Sequence, residues 1–321
     1  MRYFGITVNN KRTKIKLVSR FNDFLGPRSP HMWSLFEPYF EWQPWQLDHD
    51  YDRENTVFVS NWMNSSDGWL LQKQDQGYRV VIDSSWEPHL PPQQIYEIKH
   101  SQWFWFLTSQ CLQHLSYDSY VPNKNMAKTV FMPVNYMKPF RVQMINSLAH
   151  RLDNFLWSNQ CRDANPGADR KNGQGLPGDV SPENNEWIFY VNPLWYDQTF
   201  CSLVLESTDH APPFLTEKTF KAMAFHHPFM LLGAPGCLTT LRNWGFETFE
   251  NLFDESYDQT ENLGRRIDII VKNVDRITIM DYDIITKQKL QHNHQRFYDS
   301  VLVQNKVINE IIHPLLQYVN S

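Results

Sequence analysis

Between Ser202 and Trp244, short apolar runs and helical segments alternate with only brief turns between them, and this stretch limits the possible folds most. Ser202–Glu206 (SLVLE) reads as a buried strand, and Ser207–Leu215, with Pro212-Pro213, as a loop. Thr216 offers an N-cap for a helix over Glu217–Phe225, which His226-His227-Pro228 closes. Phe229–Leu232 (FMLL) is the next strand, Gly233-Ala-Pro-Gly236 a turn, and Cys237–Trp244 a second helix. Strand, helix, strand, helix with short connections is the pattern of a parallel, doubly wound α/β unit.

The same architecture is expected upstream. Thr56–Ser60, Arg79–Asp83, Trp103–Ser109 and Thr129–Val134 are β-branched and aromatic runs without alternation, as strands covered on both faces should be. Met1–Val8 is a further strand-like run. Over Phe140–Leu152 the apolar residues Met144, Ile145, Leu148 and Leu152 recur at helical spacing, with Arg141 on the same stripe. A guanidinium at the tip of a buried stripe must meet water or an anion. Phe155–Ser158 and Trp187–Val191 are short strands flanking a loop at 163–186 rich in Gly, Pro, Asn and Asp. Two long helices, Asp281–Ser300 and Val303–Tyr318, finish the chain. With 321 residues, roughly two domains of about 150 each fit. The expected division is an N-terminal α/β domain at 1–135, a second Rossmann-like domain at 136–285, and helices at 286–321 that cross back.

Composition excludes several classes. A net charge of −5 gives no global field for capturing nucleic acid. Cys111, Cys161, Cys201 and Cys237 lie far apart without a C-x-x-C, so neither a zinc ribbon nor a disulfide scaffold is expected. No run of about 18 apolar residues and no signal-peptide core occurs. The expectation is a soluble, cytoplasmic protein that spans no membrane.

In open α/β sheets, ligands sit where strand ends meet helix N-termini. Thr216-Glu217-Lys218 opens a helix there, just after Glu206. A lysine in a first turn opposes the helix dipole, and becomes sensible when a phosphate lies between the N-terminus and the ammonium. Glu217, on the sheet-facing side, could accept from ribose or sugar hydroxyls. The plainer reading makes Glu217 a dipole-favoured residue and Lys218 a solvated charge.

Other groupings carry less. Asp48-His-Asp50-Tyr-Asp52 and Asp281-Tyr-Asp283 have a metal-binding D-x-D spacing, but the second sits at a helix start where Asp caps. His226-His227 reads as a polar helix end, and His292-Asn-His294 as a solvated face. The N–H groups of Gly233–Gly236 border the same strand ends. Trp195-Tyr196 either packs in the core or stacks on a nucleotide base.

Leu205-Glu-Ser207, Phe214-Leu-Thr-Glu-Lys-Thr-Phe-Lys221 and His227-Pro-Phe-Met-Leu-Leu-Gly233 resemble the donor-binding region of the α1,3-fucosyltransferase family. Arg141, after Lys138-Pro139, resembles that family's phosphate-contacting arginine. The sequence also looks similar to glycosyltransferase-like proteins of large bacteriophages, which share the segment Asp254-Glu-Ser-Tyr-Asp258. Ser207 departs from the family pattern, which has asparagine there. The resemblance spans roughly residues 130–275. It implies a GT-B architecture, with two Rossmann-like domains facing a cleft, and inverting transfer from a UDP- or GDP-linked sugar without a metal. Arg141, Glu206, Thr216, Glu217, Lys218 and Lys221 are then the donor-binding candidates, with Tyr196 added as the base-stacking ring.

Inverting transfer needs a base for the acceptor hydroxyl. Asp83, ending its strand, and Glu87, beside Trp86, are the candidates, with Glu87 preferred. The acceptor is a glycan or a hydroxymethylated pyrimidine of DNA. For DNA, Lys124, Lys128, Lys138, Arg170 and Lys171 are candidate groove residues. A module that binds nucleotide sugar or glycan and transfers nothing remains a third reading.

Overall fold

Every strand pairing among the described residues of the computed structural model is parallel. The structure describes residues 15–19, 35–46, 49–61, 69–83, 96–98, 102–134, 137–158, 191–210 and 212–321. The strands form two sheets. In the first, β1 (Ile15–Ser19), β2 (Phe40–Pro44), β3 (Thr56–Asn61), β4 (Arg79–Asp83) and β5 (Tyr96–Ile98) lie in the order β2-β1-β3-β4-β5. In the second, β6 (Lys128–Met132), β7 (Phe155–Trp157), β8 (Thr199–Leu205) and β9 (Phe229–Leu232) lie in the order β7-β6-β8-β9. All seven residues of β8 are buried, as a strand covered on both faces requires. The chain divides into two units: Met1–His100 with Gln304–Ser321, and Ser101–Val303. By contacts, one boundary falls between His100 and Ser101.

In the first unit, α1 (Trp69–Asp75) covers β3 and β4. Phe58 is the hub of its core. Tyr51, Trp69 and Tyr78 approach it edge-on at centroid distances of 5.2, 5.5 and 4.9 Å, the arrangement that ring quadrupoles favour. The end of the chain joins this unit. Tyr318, in α10 (His313–Asn320), stacks on Tyr96 at 4.1 Å and donates its hydroxyl to the Val80 carbonyl at 3.1 Å. Met1–Val8 lies outside the described residues.

The second unit corrects one expected strand. Trp103–His114 is a helix, α2, with Trp103–Ser109 buried without interruption. An unbroken apolar run does not distinguish a strand from a helix buried all round, and here tertiary packing decides. Trp105 packs edge-on against Phe246 at 4.8 Å and donates its indole N–H to the Phe297 carbonyl at 3.2 Å. Then come α3 (Pro139–Ser147), α4 (Pro193–Asp197), α5 (Glu217–Ala224), α6 (Cys237–Asn243) and α7 (Leu263–Arg276). The helix α7 was not anticipated, although Ile267, Ile270 and Val274 give it a buried stripe. The final helices are α8 (Ile284–Phe297), α9 (Ser300–Val307) and α10, with a π-helical turn at Ile308–Ile312. Trp187–Tyr190 and the loop at 163–186 lie outside the described residues, and Val191 belongs to no strand.

Buried polar groups lock the second unit together. His227 is fully buried: Nε2 faces the Thr199 carbonyl at 2.9 Å and Nδ1 the Ser202 hydroxyl at 2.7 Å. Burial, aided by Lys124, holds this ring well below the usual histidine range, so it is neutral. His226 ends α5 with φ +48°, a left-handed helix terminus made without glycine. The segment Asp254–Asp258 is a polar brace. The Asp258 carboxylate accepts from the N–H groups of Leu238 and Thr239 at 2.8 and 3.0 Å, closing the start of α6. Glu255 accepts from Phe249 N, the Thr248 hydroxyl and Arg242.

Gly245 follows α6 with φ +81°. A Cβ there would lie 2.6 Å from the Arg296 guanidinium carbon, whose Nε donates to the Trp244 carbonyl at 2.6 Å. Gly245→Ala should therefore lower unfolding stability by about 1–2 kcal/mol. Denaturant titration would read this as a lower midpoint with an unchanged slope.

Candidate active site

In the order β7-β6-β8-β9, the chain leaves β6 toward β7 on one side and β8 toward β9 on the other. The carboxyl ends of β6 and β8 therefore frame a topological switch point, where open α/β sheets hold their ligands. Glu206 directly follows β8, and Arg141 lies in α3, the first helix after β6.

Glu206 is fully buried, and its carboxylate takes three hydrogen bonds. Thr216 N and the Thr219 hydroxyl donate to Oε1 at 2.9 and 2.6 Å, and the Thr216 hydroxyl donates to Oε2 at 2.6 Å. Thr216 is the N-cap of α5, as its position predicts, yet its hydroxyl serves Glu206 and not the helix. The strand end is thereby tied to the helix start. Gly233, after β9, completes this corner: a Cβ there would come within 3.3 Å of the Glu206 Cβ and 3.1 Å of the Cys237 sulfur.

Three cations meet residues 206 and 207. Arg141, 3% exposed, donates Nε and Nη2 to the Glu206 carbonyl at 3.2 and 2.5 Å. Lys138 Nζ donates to the Ser207 carbonyl at 2.7 Å. Lys218 Nζ reaches Glu217 Oε1 at 2.9 Å, the Thr216 hydroxyl at 3.1 Å and the Ser207 hydroxyl at 3.5 Å. Lys218 keeps a quarter of its side chain in solvent. Burial pulls Arg141 below its usual pKa, while Glu206 and Glu217 oppose that shift. Burial would raise the Glu217 carboxyl, but Lys218 and Lys221 outweigh it and hold the group below the usual range. Lys221, half-buried one turn on, is pulled down to about 8, first by burial and then by Lys218, with Glu217 opposing.

Arg141, Glu206, Thr216, Glu217 and Lys218 thus form one cluster. The Nε and Nη2 edge of Arg141 is engaged by a backbone carbonyl. Tyr196 does not belong to the cluster. It is buried, stacked on Phe225 at 4.8 Å and edge-on to Phe131 and His227, so its faces are taken by the core. Asp83 is the last residue of β4, at the carboxyl end of the first sheet; Trp86 and Glu87 lie outside the described residues.

Several other candidates have internal roles. Asp283 caps α8, accepting from Thr286 N at 2.7 Å. Asp52 accepts from Glu54 N and the Asn55 amide within its own turn. His292 is exposed, but His294 is not a solvated residue: it stacks on His226 at 3.9 Å and faces the Ala224 and Asp118 carbonyls. Of the groove candidates, Lys124, Lys128 and Lys138 each donate to a backbone carbonyl. Arg170 and Lys171 lie outside the described residues.

Sequence reasoning missed Arg266. This residue of α7 is 3% exposed, donates Nη1 to the Gly233 carbonyl and Nη2 to the Asp209 carbonyl at 2.7 Å, and so joins the loops after β8 and β9. Its signal was an arginine beside Ile267 on the buried stripe of an amphipathic helix.

No helix among the described residues is long and apolar enough to cross a membrane. No protein-family model matches the chain, and no curated protein does. Solved structures do. An α1,3-fucosyltransferase with GDP aligns with a TM-score of 0.51 and 11% identity over 95% of this chain and 93% of that one. An α1,3-fucosyltransferase with GDP-fucose aligns at 0.46 and 10% identity, over 92% of this chain and 94% of that one. A DNA-modifying β-glucosyltransferase aligns at 0.46 and 13% identity, over 94% of this chain and all of that one. At these identities the likeness is one of fold: two parallel α/β units, as in the GT-B fold.

Proposed function

We propose that this chain is an inverting, metal-independent glycosyltransferase that moves a sugar from a UDP- or GDP-linked donor to an acceptor hydroxyl. One observation carries the reading: Lys138, Arg141 and Lys218 all bond to the Glu206–Ser207 corner at the switch point of the second sheet. The fold neighbour solved with GDP supports a nucleoside diphosphate as part of the donor.

The roles follow from the charge that the reaction develops. Breaking the anomeric bond leaves the electron pair on the diphosphate, so negative charge grows on the bridging oxygen. Lys218, the partly exposed cation, meets that charge directly. At about 4 Å and an effective dielectric near 20, the contact is worth about 4 kcal/mol before desolvation. Arg141 adds its charge from beneath the corner. Glu217 accepts from hydroxyls of the donor, and Lys221 contributes a second ammonium one turn along α5. Asp83 or Glu87 takes the acceptor proton as the hydroxyl oxygen attacks. With the charge supplied by side chains, no metal ion is needed.

Thermal-shift measurements with UDP, GDP and their sugars test the donor site. A ligand at a hundred times its dissociation constant should add about 2.7 kcal/mol of stability; no shift at millimolar concentrations would refute it. Lys218→Ala should cut turnover about 10²-fold, with only a modest fall in melting temperature from the lost Glu217 ion pair. Glu206→Gln should do the reverse first, costing about 1–3 kcal/mol of stability because its amide sets a donor against donors. Asp83→Asn and Glu87→Gln separate the two bases. The true one abolishes transfer and preserves the donor-induced shift.

Lys221 gives the reading a pH signature. With its folded pKa near 8, the ammonium is present below that value and lost above it. Diphosphate affinity should therefore fall as pH rises through 8, and binding at pH 8.5 should take up a proton. Calorimetry in buffers of different ionisation enthalpy reads that uptake. Lys221→Arg should abolish it and carry the affinity to higher pH.

A further inference from the structure

The loop between β8 and α5 starts at Glu206 and ends at Thr216, and hydrogen bonds between those two residues close its base. Beyond the base it is held at few points. Ser207 receives Lys138 and Lys218, and Phe214 lies edge-on to Phe104 at 5.6 Å. Between Thr208 and Pro213, among the described residues, a single hydrogen bond reaches the rest of the unit: Arg266 Nη2 donates to the Asp209 carbonyl at 2.7 Å. The Thr208 hydroxyl is buried with no hydrogen-bond partner, and the exposed His210 ring meets its neighbour Asp209. We propose that Arg266 is a positioning residue for the nucleotide-sugar donor: it clamps the loop after β8 to the turn after β9, and donor affinity depends on that clamp. This role rests on the donor reading of the corner and adds to it a residue of α7 that acts through the two loops.

A guanidinium suits the task. Arg266 stands beside Ile267 on the buried stripe of α7 and is 3% exposed. Nη1 donates to the Gly233 carbonyl and Nη2 to the Asp209 carbonyl, so a rigid planar fork fixes the spacing of two backbone segments. Among the described residues Arg266 makes no ion pair within 4 Å, and its placement is explained by the two carbonyls. Leu205 pairs with Leu232 across β8 and β9, so Glu206 and Gly233 leave the sheet side by side. Arg141 takes the carbonyl of the first and Arg266 that of the second. The Gly233 side of the clamp cannot give way: a Cβ there would lie 3.0 Å from the Leu231 side chain and 3.1 Å from the Cys237 sulfur. Asp209 is therefore held against the same row of strand ends that carries the donor corner.

The clamp bears on binding more than on bond breaking. A loop already fixed before the ligand arrives loses little freedom on binding, whereas a loose one must be ordered at the expense of affinity. The charge that develops on the diphosphate is met by Lys218 and Arg141, and Arg266 leaves that arrangement intact.

Arg266→Lys tests the clamp, because it keeps the charge but places one nitrogen where two carbonyls need donors. It should weaken calorimetric binding of GDP or UDP, whichever the wild-type protein binds, on the order of 10-fold. Backbone NMR order parameters at Thr208, Asp209 and His210 should fall from about 0.85 to below about 0.6. Ile267→Val, on the same buried stripe, is the stability control: it should lower the melting temperature and leave both readouts unchanged. Pro212→Gly loosens the loop without touching α7 and should weaken the same nucleotide, which keeps the test decisive if the lysine variant does not fold. Wild-type affinity in a variant whose loop has loosened, order parameters unchanged in Arg266→Lys, or an equal loss of affinity in Ile267→Val would overturn the clamp and leave the donor reading standing. A wild-type protein that binds neither nucleotide would overturn the donor reading and this role with it, while the order parameters would still show whether Arg266 holds the loop.

Discussion

A carboxylate with no solvent contact holds the second unit's ligand corner in shape. Burying the charge of Glu206 costs several kcal/mol unless both oxygens are hydrogen-bonded. Three donors from the start of α5 use them, and the Glu206 carbonyl receives the Arg141 guanidinium on the other side. A neutral side chain could not do the same. An amide would turn one acceptor into a donor, and the guanidinium would lose the anion that offsets its charge. The strand end, the helix start and the cations beside them therefore form a single electrostatic unit.

The surrounding cations share a second habit. Lys138, Arg141 and Arg266 each donate to a backbone carbonyl just beyond a strand of the second sheet, at Ser207, Glu206 and Gly233. Carbonyls there have run out of ladder partners, and an unpaired one is expensive once buried. Two helices that pack on each other, α3 with its N-cap Lys138 and α7, supply the missing donors. The positive rim is thus part of the folding solution before it is a ligand site.

Much of this was legible in the sequence, for identifiable reasons. Ser202 to Trp244 could be read because buried strands and short capped helices alternate there at lengths only a parallel unit explains. Lys218 stood out because its charge opposes the helix dipole at a predicted strand end. The destination of Arg141 was not legible, since its partner is a carbonyl 65 residues away. Trp103–Ser109 was misread because burial on all sides erases periodicity. Tyr196 was assigned to a ligand because spacing does not say which ring faces the protein; Phe225 and Phe131 cover it. The polar brace at Asp254–Asp258 had no reading until the start of α6 was seen to depend on it.

The return of Gln304–Ser321 to the first unit has a consequence for how the chain is made. Domains synthesised in sequence can fold one after another as they emerge from the ribosome. Here the earlier-made unit waits for the later one, because Tyr318 supplies both a stacked ring for Tyr96 and a donor for Val80. The first unit is complete only once a segment made after the whole of the second unit has emerged, so the two cannot fold strictly in the order of their synthesis.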